Sequence, residues 1–325
     1  MTAPDSPRLS LRMVKSLAQA PWIWSFLAAA LAFGASMVIS SGQGTASLLS
    51  AALTFAAFSV VVGIGQMFVI TLGPGNVDLS VPASMTLAGT LSLKFMASDA
   101  GLILPGLLIA LAVGLACGIF NYGLILALRI PPIIATLSSS FIFQSIAIWS
   151  NRGLRIKPPA PLADFATGSV MGVPNVAVLV ILLAIVAWFV LERTIFGRWL
   201  LATGQNMRAA QLSAVPVNLV RISVYVGSAT LASLAGFLLA SFSGGANLNM
   251  GTEYMLMSIA VVVIGGTSIA GGKSNVPGIW GAALFMFLLV SMLNSLGLGA
   301  GVRLLLTGTI IVAVVIFASK RSYSA

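Results

Sequence analysis

The chain has no histidine, a single cysteine (Cys117) and only six acidic residues among 325. Each absence removes a class of function. One thiol cannot form an internal disulfide, and Cys117 lies in an apolar run where a free cysteine behaves as a small hydrophobe. No histidine, one cysteine and scattered acids argue against a zinc or redox site, which needs clustered nitrogen, sulfur or carboxylate ligands. The same scarcity leaves no group of nucleophile, base and orienting residue for a membrane-embedded enzyme. Charged residues make up 7% of the chain, against roughly 25% in an average soluble domain. A water-soluble enzyme, a disordered chain and a disulfide scaffold are therefore all poor fits.

What is present is apolar. Hydrophobic residues make up 59% of the chain and the mean hydropathy is +1.09. A membrane-spanning helix needs about 20 apolar residues, and about ten apolar runs are found. They fall at 21–41, 46–72, 79–98, 102–128, 132–149, 175–191, 218–241, 254–270, 276–298 and 303–319. The expected fold class is all-α: a polytopic membrane protein with one transmembrane domain over 21–319 and short tails at 1–20 and 320–325. The first run has a basic flank and small residues near Ala35, like a signal peptide. It is longer than a usual signal core and many runs follow, so it reads as a span.

Sixteen Lys and Arg give a net charge of +10. Cytoplasmic connections concentrate Lys and Arg, which accounts for the excess without nucleic acid. With the N-terminus inside, eleven basic residues fall on the cytoplasmic side: Arg8, Arg12, Lys15, Arg129, Arg193, Arg198, Arg208, Arg221, Lys273, Lys320 and Arg321. Four fall outside: Arg152, Arg155, Lys157 and Arg303. Lys94 lies near the outer end of a span and can snorkel. Both termini are expected in the cytoplasm of a cell whose inner membrane holds the chain. The cluster at 152–157 is the exception and suits an extracytoplasmic partner.

Three segments carry polar or flexible residues at unusual places. Thr71–Ser80 (Thr-Leu-Gly-Pro-Gly-Asn-Val-Asp-Leu-Ser) interrupts an apolar region. Non-helical backbone at membrane depth must be buried in protein or face water, and an acid there is costly. Asp78 or Ser80 can cap the third helix, with Pro82 in its first turn, and cavity lining is compatible with that. Gly265–Ser274 mimics a phosphate loop, but the pattern requires glycine at 267, where Thr267 stands, and no strand precedes it. The plainer reading is a tight turn and close packing by small residues, as for the pairs Gly114/Gly118 and Gly297/Gly301. The connection 192–217 holds a short helix that Asn206 caps and that ends before Pro216. Its small Ala209–Ala210 face suits a partner's groove or a headgroup layer.

These motifs resemble a known family. Phe196-Gly197-Arg198, Ala202-Thr203-Gly204, Asn206, Ala209-Ala210 and Ser213 look like the coupling segment of permeases of ribose-type, simple-sugar ABC importers. Gly251, Tyr254, Ile259-Ala260, Ile264-Gly265-Gly266-Thr267-Ser268 and Gly271-Gly272 match a second stretch. Asp78-Leu79-Ser80-Val81 resembles the family's Asp-Leu-Ser-Val-Gly. Asn121, Gly123 and Pro131–Leu137 resemble a fourth. The resemblance covers about 50–320 in one order. It implies a ten-helix type II importer permease working with two cytoplasmic ATPase subunits, a periplasmic or tethered substrate-binding protein, and a second permease, either a copy or a different chain. No cofactor is expected on this chain; ATP and Mg would act on the ATPase. Gly204, Asn206, Arg208, Ala209, Ala210 and Ser213 would then contact the ATPase.

The chain departs from the family where Met255 and Met257 replace an acidic pair and where Pro82 replaces a glycine. These departures weaken a ribose assignment and suit a specialised member. Transporter sites lie at interrupted helices, so Asn76, Asp78, Ser80, Asn121, Thr136, Asn247, Asn249 and Glu253 are the pathway candidates. The alternative function is an ion-coupled secondary transporter, disfavoured because proton relays use chains of Asp, Glu or His.

Overall fold

The computed structural model describes residues 21–39, 44–151, 156–299, 301–302, 305–310 and 312–313. The tails 1–20 and 320–325, Arg152 and Arg155 of the basic cluster, and most of the run 303–319 lie outside the described residues. Helices dominate: α1 (Pro21–Ile39), α2 (Thr45–Thr71), α3 (Val81–Met96), α4 (Ile103–Leu128), α5 (Pro132–Ser150), α6 (Ala160–Thr167), α7 (Asn175–Arg193), α8 (Ile195–Gln205), α9 (Met207–Leu212), α10 (Val217–Phe242), α11 (Tyr254–Ile264) and α12 (Val276–Ser295). Among the described residues, α1, α2, α4, α5, α7, α10 and α12 are long and apolar enough to cross a membrane, seven in all.

The expected third and eighth spans are not full-length helices. α3 has 16 residues and α11 has 11. At 1.5 Å per residue they rise about 24 and 16 Å, short of a hydrocarbon core about 30 Å thick. The eighth run stops at Ile264 instead of 270 because Gly265 and Gly266 leave the helix, the latter at φ +91°. Hydropathy misses this break because the near-neutral Gly265, Gly266, Thr267 and Ser268 sit between Ile264 and Ile269 and lower the average too little. The connection 150–174 also holds more structure than expected. It contains α6 and a hairpin of β1 (Ser169–Val170) and β2 (Val173–Pro174), turned at Met171 and Gly172 with φ of +51° and +80°. Two positive φ values are what a two-residue hairpin turn requires.

Burial separates the helices into a centre and a periphery. α2 is buried almost all round from Ala52 to Thr71, and α10 buries one flank along its whole length. α4 buries only Gly106, Ala110, Gly114, Cys117, Gly118, Asn121, Tyr122 and Ile125, a stripe at three- and four-residue spacing. Its other faces expose Leu104, Leu108, Leu115, Ile119 and Leu126. Apolar residues all round with small ones on the packed stripe is the pattern of a helix in lipid, where close approach rather than hydrophobicity drives association. Gly114 and Gly118 lie on the backbone of α10: an added Cβ would fall 2.5 Å from Thr230 Cα and 2.3 Å from Val226 Cα. This pair therefore serves packing within one chain. Gly297 and Gly301 meet nothing within 4 Å among the described residues.

Candidate functional site

The interrupted segment after α2 is the first polar centre. Val77, Asp78, Leu79 and Ser80 do not continue a helix, so their backbone groups need partners. Thr136 of α5 supplies one: its hydroxyl accepts from the Leu79 amide (3.0 Å), while its single proton lies between the Pro132 carbonyl (2.9 Å) and the Val77 carbonyl (3.3 Å). Asp78 is 2% exposed. Its Oδ1 accepts from the Ser80 amide (2.9 Å) and hydroxyl (2.6 Å), and its Oδ2 from the Ser228 hydroxyl of α10 (3.1 Å). None of these donors is a cation. Asn121 of α4 donates to Ser80 Oγ (2.7 Å), and Ser139 of α5 donates to Asn121 Oδ1. Tyr225 of α10 donates to Asn76 Oδ1 (3.1 Å), while Asn76 Nδ2 donates to the Gly73 carbonyl (3.1 Å).

The donors run in one direction, Ser139 to Asn121 to Ser80 to Asp78. Each bond polarises the next, so such a chain is stronger than its separate parts. Four pathway candidates, Asp78, Ser80, Asn121 and Thr136, thus converge in one network, and Asn76 forms a separate pair with Tyr225; each of the five is at most 7% exposed. The capping expectation needs correction: Ser80 occupies the cap position of α3, but no side chain makes the cap hydrogen bond. Ser80 gives its hydroxyl to Asp78 instead. Sequence reasoning missed Ser139, Tyr225 and Ser228. The available signal was weak, namely Ser139 one turn beyond Thr136 and a polar pair three apart in α10.

Asn247, Asn249 and Glu253 lie elsewhere, on the loop joining α10 to α11, and are exposed. The Asn249 amide donates to Asn247 Oδ1 (2.9 Å), and Gln144 of α5 donates to the Leu248 carbonyl (2.8 Å). The loop returns alongside α3: a Cβ on Gly251 would sit 2.4 Å from the Pro82 carbonyl, and one on Gly89 would sit 2.5 Å from Met250 Cε. Pro82 begins α3, so the loop reaches back into the bundle. Non-helical backbone is acceptable at such depth where it packs on protein or faces water.

The second polar centre is the connection between α7 and α10. Thr194 caps α8 by accepting from the Gly197 amide (3.2 Å), and Asn206 caps α9 by accepting from the Ala209 amide (3.0 Å). Arg208, Ala209, Gln211, Leu212 and Ser213 are exposed, Leu212 at 85%. Gly204 and Ala210 are buried inside the chain. Gly204 has no room for a side chain, since a Cβ would lie 1.9 Å from the Thr71 carbonyl. Alanines 209 and 210 therefore do not form one outward face; consecutive helix positions point about 100° apart.

Comparison with known proteins identifies the family. The family described as branched-chain amino acid transport system / permease component matches residues 27–315. The chain belongs to this permease family. The probable ABC transporter permease protein y4mJ of Sinorhizobium fredii is 33% identical over 79% of this chain and 77% of that protein. The ribose import permease protein RbsC of Escherichia coli is 30% identical over 81% of this chain and 83% of that protein. The autoinducer 2 import system permease protein LsrD of Salmonella paratyphi B is 30% identical over 74% and 75%. No solved structure matches. The chain is thus a permease subunit of an ABC importer, a multi-pass membrane protein and a transporter component rather than an enzyme. Nothing among these relatives supports the ion-coupled alternative.

Proposed function

We propose that this permease carries a sugar or a similar small polar solute inward across the inner membrane, with both termini in the cytoplasm. Relatives named for ribose import and autoinducer 2 import support the solute class. A cytoplasmic ATPase supplies ATP and Mg chemistry; an extracytoplasmic binding protein delivers the solute; a second permease, identical or different, completes the pathway. The observation that carries the reading is the exposed, Asn206-capped helix α9 on a chain that has no nucleotide loop. Arg208, Ala209, Gln211, Leu212 and Ser213 meet the ATPase, while Gly204 and Ala210 hold that surface in place from within. Asn247, Asn249 and Glu253 face the solute pathway from the returning loop. Asn76, Asp78, Ser80, Asn121 and Thr136 hold the interrupted helix that borders it.

The deciding experiment isolates the tagged chain from native membranes and identifies its partners by mass spectrometry. An ATPase and a binding protein are expected. Uptake should stop on ATP depletion and survive an uncoupler while ATP is maintained. Absence of any ATPase together with uptake that survives ATP depletion would overturn the coupling assignment.

A further inference from the structure

The run Gly265–Ser274 binds no nucleotide by its pattern, yet it is closely folded. The Gly271 amide donates to the Ser268 carbonyl and the Ser268 amide to the Lys273 carbonyl, both at 3.0 Å. Gly271 and Gly272 have φ of +85° and +70°, a region that disfavours any residue with a Cβ. Asn275 clamps the run to α12: its Nδ2 donates to the Gly265 carbonyl (2.8 Å) and its Oδ1 accepts from the Gly278 amide (3.4 Å).

Two other segments meet this loop backbone to backbone. The Gly272 amide donates to the Thr71 carbonyl at the end of α2 (3.0 Å). A Cβ on Gly271 would fall 2.4 Å from Gly73 Cα and 2.9 Å from the Gly204 carbonyl. A Cβ on Gly204 would fall 1.9 Å from the Thr71 carbonyl and 2.5 Å from the Gly272 amide nitrogen. A Cβ on Gly272 would meet Gln205 Cγ at 2.4 Å and the Gln205 amide nitrogen at 2.9 Å. Three chain segments therefore touch with no side chain between them at these points. Gly204 is the penultimate residue of α8, two before the Asn206 cap of α9. Beyond Thr71 lies the interrupted segment held by Asp78; beyond Gly272 lies α12. Close-packed backbone offers no rotamer freedom in which a displacement could dissipate, and contiguous rigid elements are how coupling travels.

We propose that Gly204, Gly271 and Gly272 are positioning residues through which movement of α8–α9 reaches both interrupted helix pairs, α2–α3 and α11–α12, as one rigid unit. This rests on the reading that an ATPase moves α9. The test uses the intact permease complex with its co-purified ATPase. Spin labels are placed in pairs at three exposed positions: Leu212 on α9, Lys273 on the glycine loop, and Met171 on the hairpin at the other end of the bundle. The Leu212–Lys273 separation should be the same without nucleotide and with ATP trapped, while both sites shift relative to Met171. A Leu212 that moves relative to Met171 while Lys273 stays fixed overturns the junction and leaves the coupling role of α9 standing. Failure of an ATPase to co-purify, or ATP-independence of the Leu212–Met171 distance, overturns the coupling reading and the junction with it. Assembled Gly271→Ala complexes should keep ATP hydrolysis and lose uptake by roughly tenfold. Coupled uptake at the native rate would also overturn the proposal, and if that variant does not assemble, the distance measurements decide alone.

Discussion

Asp78 accepts three hydrogen bonds from neutral donors in the interior of the bundle. A buried carboxylate without a cation is tolerable only where its lone pairs are this well occupied. Replacing it with alanine strands the Ser80 amide and leaves two hydroxyls seeking partners. Each unpaired buried group costs about 1–3 kcal/mol, so Asp78→Ala should sharply lower the thermal stability of the detergent-purified protein. Asp78→Asn keeps the shape and one acceptor and should fall between it and the native protein. Ser228→Ala removes a single hydrogen bond and should cost about 1 kcal/mol. If all three variants unfold at the native temperature, the network is not holding the segment. That Asp78 is structurally costly was legible in the sequence, because an acid in an apolar run needs a reason. The network around it was not, because Ser228, which bonds it, and Asn121 and Ser139, which reach it through Ser80, lie 150, 43 and 61 positions away and only packing brings them in.

Helix α4 shows how an element is placed when hydrophobicity cannot sort its faces. Leucine and isoleucine surround it, and the small residues Gly114 and Gly118 choose the side that meets α10. Gly118→Val should therefore separate α4 from α10 and abolish folded protein, whereas Gly123→Ala, with nothing within 4 Å, should leave yield and stability unchanged. Size-exclusion profiles of the two variants check this directly. Helix α9 has only six residues, too few to be stable by propensity alone. Asn206→Ala removes its cap at about 1 kcal/mol, which should raise amide exchange over 207–212 and leave α7 and α10 unchanged. The cap was readable from Asn206 and Pro216. The division of Ala209 and Ala210 between outside and inside was not, because it depends on where α8 and α10 hold the helix.

For the whole molecule, lipid exposure and sidedness are the properties to test. Leu108 of α4 and Leu182 of α7 are each 57% exposed on the flanks of long apolar helices. Arginine at a mid-membrane position costs about 2.5–3.5 kcal/mol on insertion scales. Leu108→Arg and Leu182→Arg should reduce membrane insertion, while Gln211→Arg on exposed α9 should not; the membrane-integrated fraction measures this. Cys117 is buried, so single cysteines introduced at Met171 and Leu212 can be labelled against a quiet background. An impermeant thiol reagent should reach Met171 from outside intact cells and Leu212 only after permeabilisation. The reverse pattern would invert the orientation drawn from the Lys and Arg distribution.

Membrane residence, the helical class and the break after α2 followed from composition and from the run around Gly73 and Pro74, whereas the early end of α11 at Ile264 did not. These are local consequences: apolar length sets a span, and glycine or proline ends it. The family likeness was legible for the same reason, since its motifs are contiguous. Tertiary structure alone decided that α3 and α11 are shorter than a full span, that four polar candidates share one network with Asn76 paired to Tyr225 beside it, and that Thr71, Gly204 and Gly272 meet. In a chain so uniformly apolar, hydrophobic pattern does not say which faces touch. Contacts are set by the few small and polar residues whose partners lie far along the chain, and those partners are known only once the helices are packed.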